Sequence, residues 1–589
     1  MAWRIWPSAP GRWAASLSWR ASLEKVPASR CASRCRWGED LPGWGTLASL
    51  PTRRGDAPRR PYSAMRSLTR LLWLLLAALL VACASAPTPT LMPAPSATPA
   101  LAPIDTPAWL RDAVLYEVFV RSFYDSDGDG IGDLRGVIQQ LDVLHDLGVT
   151  AIWLMPIQPS PSTHGYDITD YMAVNPDYGT EADLKALIQA VHARGMRLIL
   201  DYVAGHTSDQ HPFFQDALGN PASRYSDWYH WLNPEHTQYL SFAGVKSMPS
   251  LNQTHPATRD YLIEVARYYQ SLGVDGLRCD YALGPPHEFW KALRQAVKAR
   301  DPDFLLLGEV WERTPVALAP YFEGEFDALF DFPLYHALAG DHNRNGDGII
   351  NGQDRPRFLD AVILAGERRY PPGAQRVHFV NNHDTNRIAS EVGGDVARER
   401  LAAIYNLTAP GTPMLYYGEE IGMWGAKGNG QPYSDEYRRE PMDWYRGGSG
   451  PGQTTWFMPP DRYNRPNDGV SVEEQRSVPG SLWTTYQNLI ALRRSQTALR
   501  SGDWEAITVT GCEACDAYWR RDASATYLIV LNFSDQAQTA TLDVSAAPGP
   551  AGALRDALSG AVLLPPPGTS YSLVLGAWEG RVLLWEGKK

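Results

Sequence analysis

Eight short apolar runs, separated by amphipathic helical stretches, fill residues 112–500 and constrain the fold more than any other feature of this chain. The runs are 114–120, 151–157, 197–203, 276–280, 304–310, 328–334, 376–381 and 413–418. Each has strand length and is nearly continuous in apolar character, as expected of strands covered on both faces. Helical patterns lie between most of them, at Leu134–Leu147, Ala182–Arg194, Thr258–Leu272, Glu288–Arg300, Arg355–Arg368 and Asp395–Asn406. A final one, Leu482–Ser495, follows the eighth run. Eight strand–helix repeats predict an α/β fold, a closed (β/α)8 TIM barrel. An open doubly wound sheet is the competing arrangement; the repeat number and the lack of a GxGxxG turn weigh against it.

Two connections exceed ordinary loop lengths. A short excursion, 204–256, follows the third strand, and 419–480, rich in Gly, Pro, Trp and Tyr, follows the eighth. Long excursions at the strand-end rim usually shape an active site. Beyond residue 501 the apolar pattern changes to period two, in AITVT, AYWRR, TYLIVLNF, TATLDV, YSLVL and RVLLW, which predicts a C-terminal antiparallel β-sandwich over 501–589. The net charge of −11 argues against a nucleic-acid-binding role. The 21 Trp and 28 Tyr suit core packing and also the apolar faces of sugars. Six Cys are too few for a disulfide scaffold. Cys512 and Cys515 form a lone CxxC without a second ligand pair, which leaves a local disulfide or two free thiols.

The first hundred residues read differently. From Met65, a charged segment precedes the apolar run 71–82, too short to span a membrane and right for an export signal. It ends Leu80-Val81-Ala82-Cys83, which resembles the lipobox of bacterial lipoproteins. That resemblance implies that 65–83 is a lipoprotein signal peptide and that Cys83 is lipidated. It further implies that the protein is extracytoplasmic, touching the bacterial membrane only through its lipid. On this reading 1–64 is an unstructured upstream extension, and the Pro-rich stretch 84–109 is a linker between anchor and body.

Acidic residues stand at several strand ends. Strand 3 reaches Asp201, strand 4 ends Arg278-Cys279-Asp280, strand 5 ends Gly308-Glu309, and strand 7 ends Asn381-Asn382-His383-Asp384. Barrel enzymes place their chemistry there. Buried carboxylates are costly without a task or a partner. Two carboxyls flanking a glycosidic bond are what its hydrolysis needs, one attacking the sugar carbon and one protonating the leaving oxygen. Arg278 and Asp280 leave the same strand face, so the cation should keep Asp280 ionised. Glu309 has no cation near it in sequence and sits between leucines and Trp311, a setting that should raise its pKa.

These stretches, DYVAGHTS (201–208), GVDGLRCD (273–280), GEVW (308–311) and FVNNHD (379–384), resemble in order the four main blocks of the alpha-amylase family of glycoside hydrolases. HGYDITDY (164–171), MPSLN (248–252) and GTPMLYYGEE (411–420) resemble further blocks. MPSLN resembles variants found between the oligo-1,6-glucosidase and neopullulanase groups. The resemblance implies Asp280 as nucleophile, Glu309 as general acid/base and Asp384 as a third carboxylate gripping sugar hydroxyls. It implies that His206 and His383 bond the same sugar, that Arg278 orients Asp280 and that Tyr166 stacks beneath the ring. Net retention follows, with the first two carboxyls roughly 5–5.5 Å apart. The implied activity is endo-acting hydrolysis of α-1,4 bonds in starch and maltooligosaccharides. An α-glucosidase, a neopullulanase-like enzyme or a transglycosylase would use the same residues. A glucan-binding lipoprotein without catalysis is the alternative of another class, and the presence of all three carboxylates argues against it. Thr163, where glucose-releasing relatives usually carry Asp, argues against exo action.

Asp125, Asp127, Asp129, Ile131 (through its carbonyl) and Asp133 match the first part of an EF-hand-like loop, without its terminal Glu. Similar loops bind Ca2+ in the family. A second candidate comprises Asn343, Asn345, Asp347, Ile349, Asn351 and Asp354. Gly205 replaces an Asn that often holds the family's conserved calcium, so that site is not expected here.

Overall fold

The computed structural model describes residues 102–340, 347–430, 433–549, 551–563 and 568–587. The upstream extension, the signal segment with Cys83, most of the linker, and Asn343 and Asn345 lie outside the described residues.

Eight parallel strands close a barrel. They are β1 (Leu115–Val118), β2 (Ala151–Leu154), β3 (Arg197–Tyr202), β4 (Gly276–Cys279), β5 (Leu305–Gly308), β6 (Ala328–Phe330), β7 (Gln375–His378) and β8 (Thr412–Tyr416). Closure comes from β1 against β8, with Leu115 opposite Met414. Side chains alternate between two cores, as the pleat requires. Leu115, Trp153, Ile199, Leu305, Phe330 and Met414 fill the barrel interior. Tyr116, Ile152, Leu154, Leu198 and Leu200 face the surrounding helices. The helix Leu134–Leu147 starts where the Asp133 side chain accepts from Gly136 N and ends at Gly148, whose φ of 102° only glycine adopts easily.

The strands stop two or three residues before several of the apolar runs do. The remainder of each run turns over the rim and carries the site. The body also begins earlier than the sequence suggests. Ile104 N donates to Pro372 O at 2.9 Å, and the buried Thr106 hydroxyl donates to Gly373 O at 2.8 Å, so the last residues of the expected linker pack on the barrel. The excursion after β3 is pinned by isolated antiparallel bridges, His206 to Ser250 and Tyr229 to Leu251 among them, and ends where the helix Pro256–Leu272 begins.

The C-terminal part is two antiparallel sheets. Its strands are β9 (Asp503–Ala506), β10 (Val509–Thr510), β11 (Cys515–Arg521), β12 (Thr526–Asn532), β13 (Gln538–Asp543), β14 (Ala551–Asp556), β15 (Val562–Leu563), β16 (Ser570–Leu575) and β17 (Gly580–Gly587). One sheet runs β10-β13-β16, the other β15-β14-β17-β12-β11-β9. Trp519, Leu528, Val530, Leu542, Leu573 and Leu583 form the core between them. The AITVT run divides at its middle, because β9 and β10 join different sheets. Cys512 and Cys515 are disulfide-bonded between β10 and β11, while Cys279 is free and buried in β4.

Candidate active site

The rim at the strand ends collects the expected residues around one guanidinium. Arg278, fully buried on β4, donates through Nη1 to Asp280 Oδ1 at 2.9 Å and to both oxygens of Asp201 at 3.0 Å. Its Nη2 lies 2.5 Å from Glu309 Oε1. Burial works against its charge, but Asp201, Glu309 and Asp280 outweigh it and hold the guanidinium protonated. Glu309 therefore gains in space a cation that its sequence neighbourhood lacks, because β4 and β5 are neighbours with Arg278 opposite Leu307. The Glu309 carboxyl also accepts from Trp311 Nε1 and from Tyr281 N, each at 2.9 Å. Tyr281 holds a φ of +39°, an unusual backbone for a tyrosine, and so aims its amide at that oxygen.

Burial dominates the titration of this cluster. It raises the pKa of Glu309, with Arg278 opposing and Asp280 and Asp384 reinforcing. The same burial raises Asp280, against the pull of Arg278, so the adjacent cation does not by itself keep that carboxylate at its ordinary value. Asp201 rises to about 7, first through burial and then through Asp280. Three buried carboxylates thus share one guanidinium, which favours a retained proton within the set near neutrality.

Asp384 lines the same cleft as Asp280. Burial would raise it, but His383, Arg439 and Arg278 hold it well below the usual carboxylate range. His383 Nε2 lies 3.1 Å from Asp384 Oδ2, and its Nδ1 lies 2.5 Å from Glu117 Oε1. Burial disfavours the imidazolium, yet Asp384 and Glu117 push it up to about 10. Arg439 Nη2 donates to Asp384 Oδ1 at 2.9 Å. The Tyr166 hydroxyl bridges Asp201 Oδ2 at 3.1 Å and His383 Nε2 at 2.8 Å, and its ring lies parallel to that of His383, 5.5 Å away. His206 bonds the Tyr166 carbonyl through Nε2 at 3.1 Å. Burial lowers it to about 4, so it is neutral, with Nδ1 an acceptor.

Asp280, Asp384, Tyr166, His206 and Arg439 line an open cleft of 540 Å³. Asp280 and Asp384 line this cleft, and Glu309, with its raised pKa, lies against the same guanidinium as Asp280, a set equipped for acid/base and nucleophilic work on a polar, uncharged substrate. Sequence reasoning missed three participants. Glu117 is a lone acid inside an otherwise apolar strand. Asp201 was placed at a strand end without a role. Arg439 lies in the Arg438-Arg439-Glu440 stretch of an excursion without periodicity.

A family model described as Alpha amylase, catalytic domain, matches residues 117–502. The chain belongs to the alpha-amylase family. It is 37% identical over 426 residues to Alpha-amylase 3 of Dictyoglomus thermophilum, covering 68% of this chain and 80% of that one. It is 33% identical over 469 residues to a cyclomaltodextrinase of Geobacillus thermopakistaniensis, covering 75% and 72%. The crystal structure of an alpha-amylase from H. orenii superimposes with a TM-score of 0.70 at 33% identity, covering 80% of this chain and 99% of that one. The chain is thus a glycoside hydrolase acting on glucans.

An acidic group lies beside the cleft wall. Ligand oxygens of Asp125, Asp127 and Asp133 gather within 4.8 Å of one another. Three carboxylates are a hard-oxygen set that fits a divalent cation such as calcium. Asp129 stands apart from them, its carboxylate accepting from Ile131 N at 2.7 Å. The loop is docked on the excursion after β8, with Thr455 N donating to Gly130 O at 2.8 Å and Asp125 N to Gly452 O at 2.9 Å. Gly130 has a φ of +92°, and a Cβ there would stand 2.6 Å from the Thr455 hydroxyl, so only glycine fits. In the second candidate loop the Asn351 side-chain oxygen accepts from Arg398 Nη1 at 2.9 Å, and Asp354 Oδ1 accepts from the next backbone amide.

Proposed function

We propose that this protein is a retaining, endo-acting hydrolase of α-1,4-glucosidic bonds in starch and maltooligosaccharides. The observation that carries the reading is Arg278, whose single guanidinium spans Asp280 and Glu309 while Asp280 and Asp384 face an open cleft. Asp280 is the nucleophile. It attacks the anomeric carbon and forms a glycosyl ester as the bond to the leaving oxygen breaks. Glu309 gives its proton to that oxygen, then takes one from the water that hydrolyses the ester. Its raised pKa suits the first half of this cycle. Asp384, kept anionic by His383 and Arg439, grips hydroxyls of the glycone. His206 offers its neutral Nδ1 to the same sugar, and Tyr166 lies beneath its ring. Asp125, Asp127 and Asp133 would hold Ca2+, which would stiffen the loop after β1 on which the excursion after β8 is docked. We propose also that Cys83 carries the lipid anchor at the outer face of a bacterial membrane, which mass spectrometry of the native N-terminus tests.

Product analysis on soluble starch, pullulan and cyclodextrins tests the activity. Rapid viscosity loss with mixed maltooligosaccharides of retained α-configuration supports it. Glucose alone from chain ends, or turnover confined to cyclodextrins or pullulan, overturns it. Asp280→Asn should abolish turnover with the fold intact.

A further inference from the structure

We propose that the strand-start end of the barrel carries a phosphate-binding site, separate from the catalytic cleft. A cavity of 400 Å³ opens there between Trp109, Asp112, Thr150 and three arginines, Arg197, Arg494 and Arg500. Arg197 is the first residue of β3, Thr150 immediately precedes β2, and Arg494 lies in the last turn of the helix Leu482–Ser495. The catalytic residues stand at the other ends of the same strands, and the cavity shares no lining residue with the cleft.

Two of the arginines are held in place by acids. Arg197 Nη1 donates to Asp275 Oδ1 at 2.7 Å, and its guanidinium lies over the Trp109 ring, 5.9 Å from the ring centre. Arg500 Nε donates to Asp112 Oδ1 at 2.6 Å, and its Nη1 donates to the Arg494 carbonyl. Arg494 differs. Among the described residues its guanidinium makes one long hydrogen bond, to the Gly148 carbonyl at 3.4 Å, and no ion pair. The lining thus sets three cations against one carboxylate. Behind it, the buried Arg493 is pushed down to about 9, by burial first and then by Arg520 and Arg500, so positive charge is in excess at this end. An anion in the cavity relieves that excess, and guanidinium N–H forks match phosphate oxygens. Trp109 and Asp112 lie where the Pro-rich stretch joins the body. With Cys83 lipidated, as proposed above, a phospholipid headgroup offers this phosphate chemistry; a free phosphate offers it too.

Calorimetric titration of the full chain at low ionic strength tests the site, with two probes, inorganic phosphate and glycerophosphoglycerol, the water-soluble headgroup of phosphatidylglycerol. Arg494→Gln should weaken binding about tenfold, the scale of one charge-assisted hydrogen bond. Asp112→Asn, which removes the one acid of the lining, should tighten it. Arg555→Gln, at an exposed arginine on β14, is the control and should leave it unchanged. All three variants should keep the wild-type melting temperature and kcat/KM on maltooligosaccharides, because the cavity lies away from the cleft. Tighter binding of the diester supports the site and makes a headgroup its source; tighter binding of inorganic phosphate supports it with a free phosphate. Wild-type binding of neither probe overturns the site. So does binding that Arg494→Gln leaves unchanged, or that Arg555→Gln weakens equally.

Discussion

Arg439 Nη2 donates to Asp384 Oδ1 at 2.9 Å across 55 positions of sequence. The excursion after β8 thereby completes the carboxylate offered by β7. The same guanidinium donates through Nε to the His383 carbonyl at 3.1 Å, so it fixes both the charge and the place of the loop. Arg439→Ala should lower kcat/KM on maltooligosaccharides on the order of 10²-fold, the scale of losing one positioned group. Arg439→Lys should recover only part, because a point charge cannot make both contacts. Steady-state kinetics of the two variants check this.

The alkaline limb of the pH–rate profile should belong to Glu309, which must hold its proton to act as an acid. Burial raises its pKa, and the Trp311 indole N–H, 2.9 Å from Oε1, pulls it back by stabilising the anion. Trp311→Phe removes that donor, so Glu309 keeps its proton to higher pH. The alkaline limb of kcat/KM should therefore move upward. A limb unmoved or shifted down would separate Glu309 from the acid role.

Much of this was legible because two signals coincide in the barrel. Aliphatic runs mark the strands, and caps mark the helices. Leu134–Leu147 and Leu482–Ser495 have the bounds read from sequence, since Asp133 and Ser481 cap their starts. Local signals fail where the partner is remote. Arg278 reads as a neighbour of Asp280, but Glu309 comes within 2.5 Å of it only through strand pairing. Glu117 looks like an interruption of an apolar strand until β7 brings His383 to it, 266 positions away. In the C-terminal sheets, β14 escaped because its Ala- and Gly-rich text lacks the β-branched alternation that marks the other strands, and β15 because it is only two residues long.

Glu117 should set the charge of His383. The carboxylate 2.5 Å from Nδ1 helps raise the imidazole to about 10. A histidine raised above its unfolded value stabilises the fold fully below that value, near 6.5, and loses the contribution as pH rises through the folded one. The wild type should lose this stabilisation progressively between about pH 6.5 and about pH 10. Glu117→Gln retains an acceptor but not the charge, so the folded value drops toward 6.5, and the alkaline fall in melting temperature should be smaller and complete at lower pH. NMR titration of the ring nitrogens should show the lowered pKa directly. Glu117→Ala should cost a further ~1–3 kcal/mol, the penalty of a buried donor left unpaired.

Calcium should act on the cleft through the loop that touches its wall. Asp125, Asp127 and Asp133 converge within 4.8 Å, and Thr455 and Gly452 bind the backbone of the same loop. The excursion so held also carries Arg439 and Trp456. A cation bound at 100 times its dissociation constant stabilises the folded state by about 2.7 kcal/mol. Chelation should therefore lower the melting temperature by a few degrees and reduce kcat/KM. Asp127 is the exposed member of the three. Asp127→Ala should abolish the calcium-dependent shift while leaving the chelated protein's melting temperature nearly unchanged. A variant that still gains the full shift would move the cation to another loop, with that around Asp354 the next to mutate.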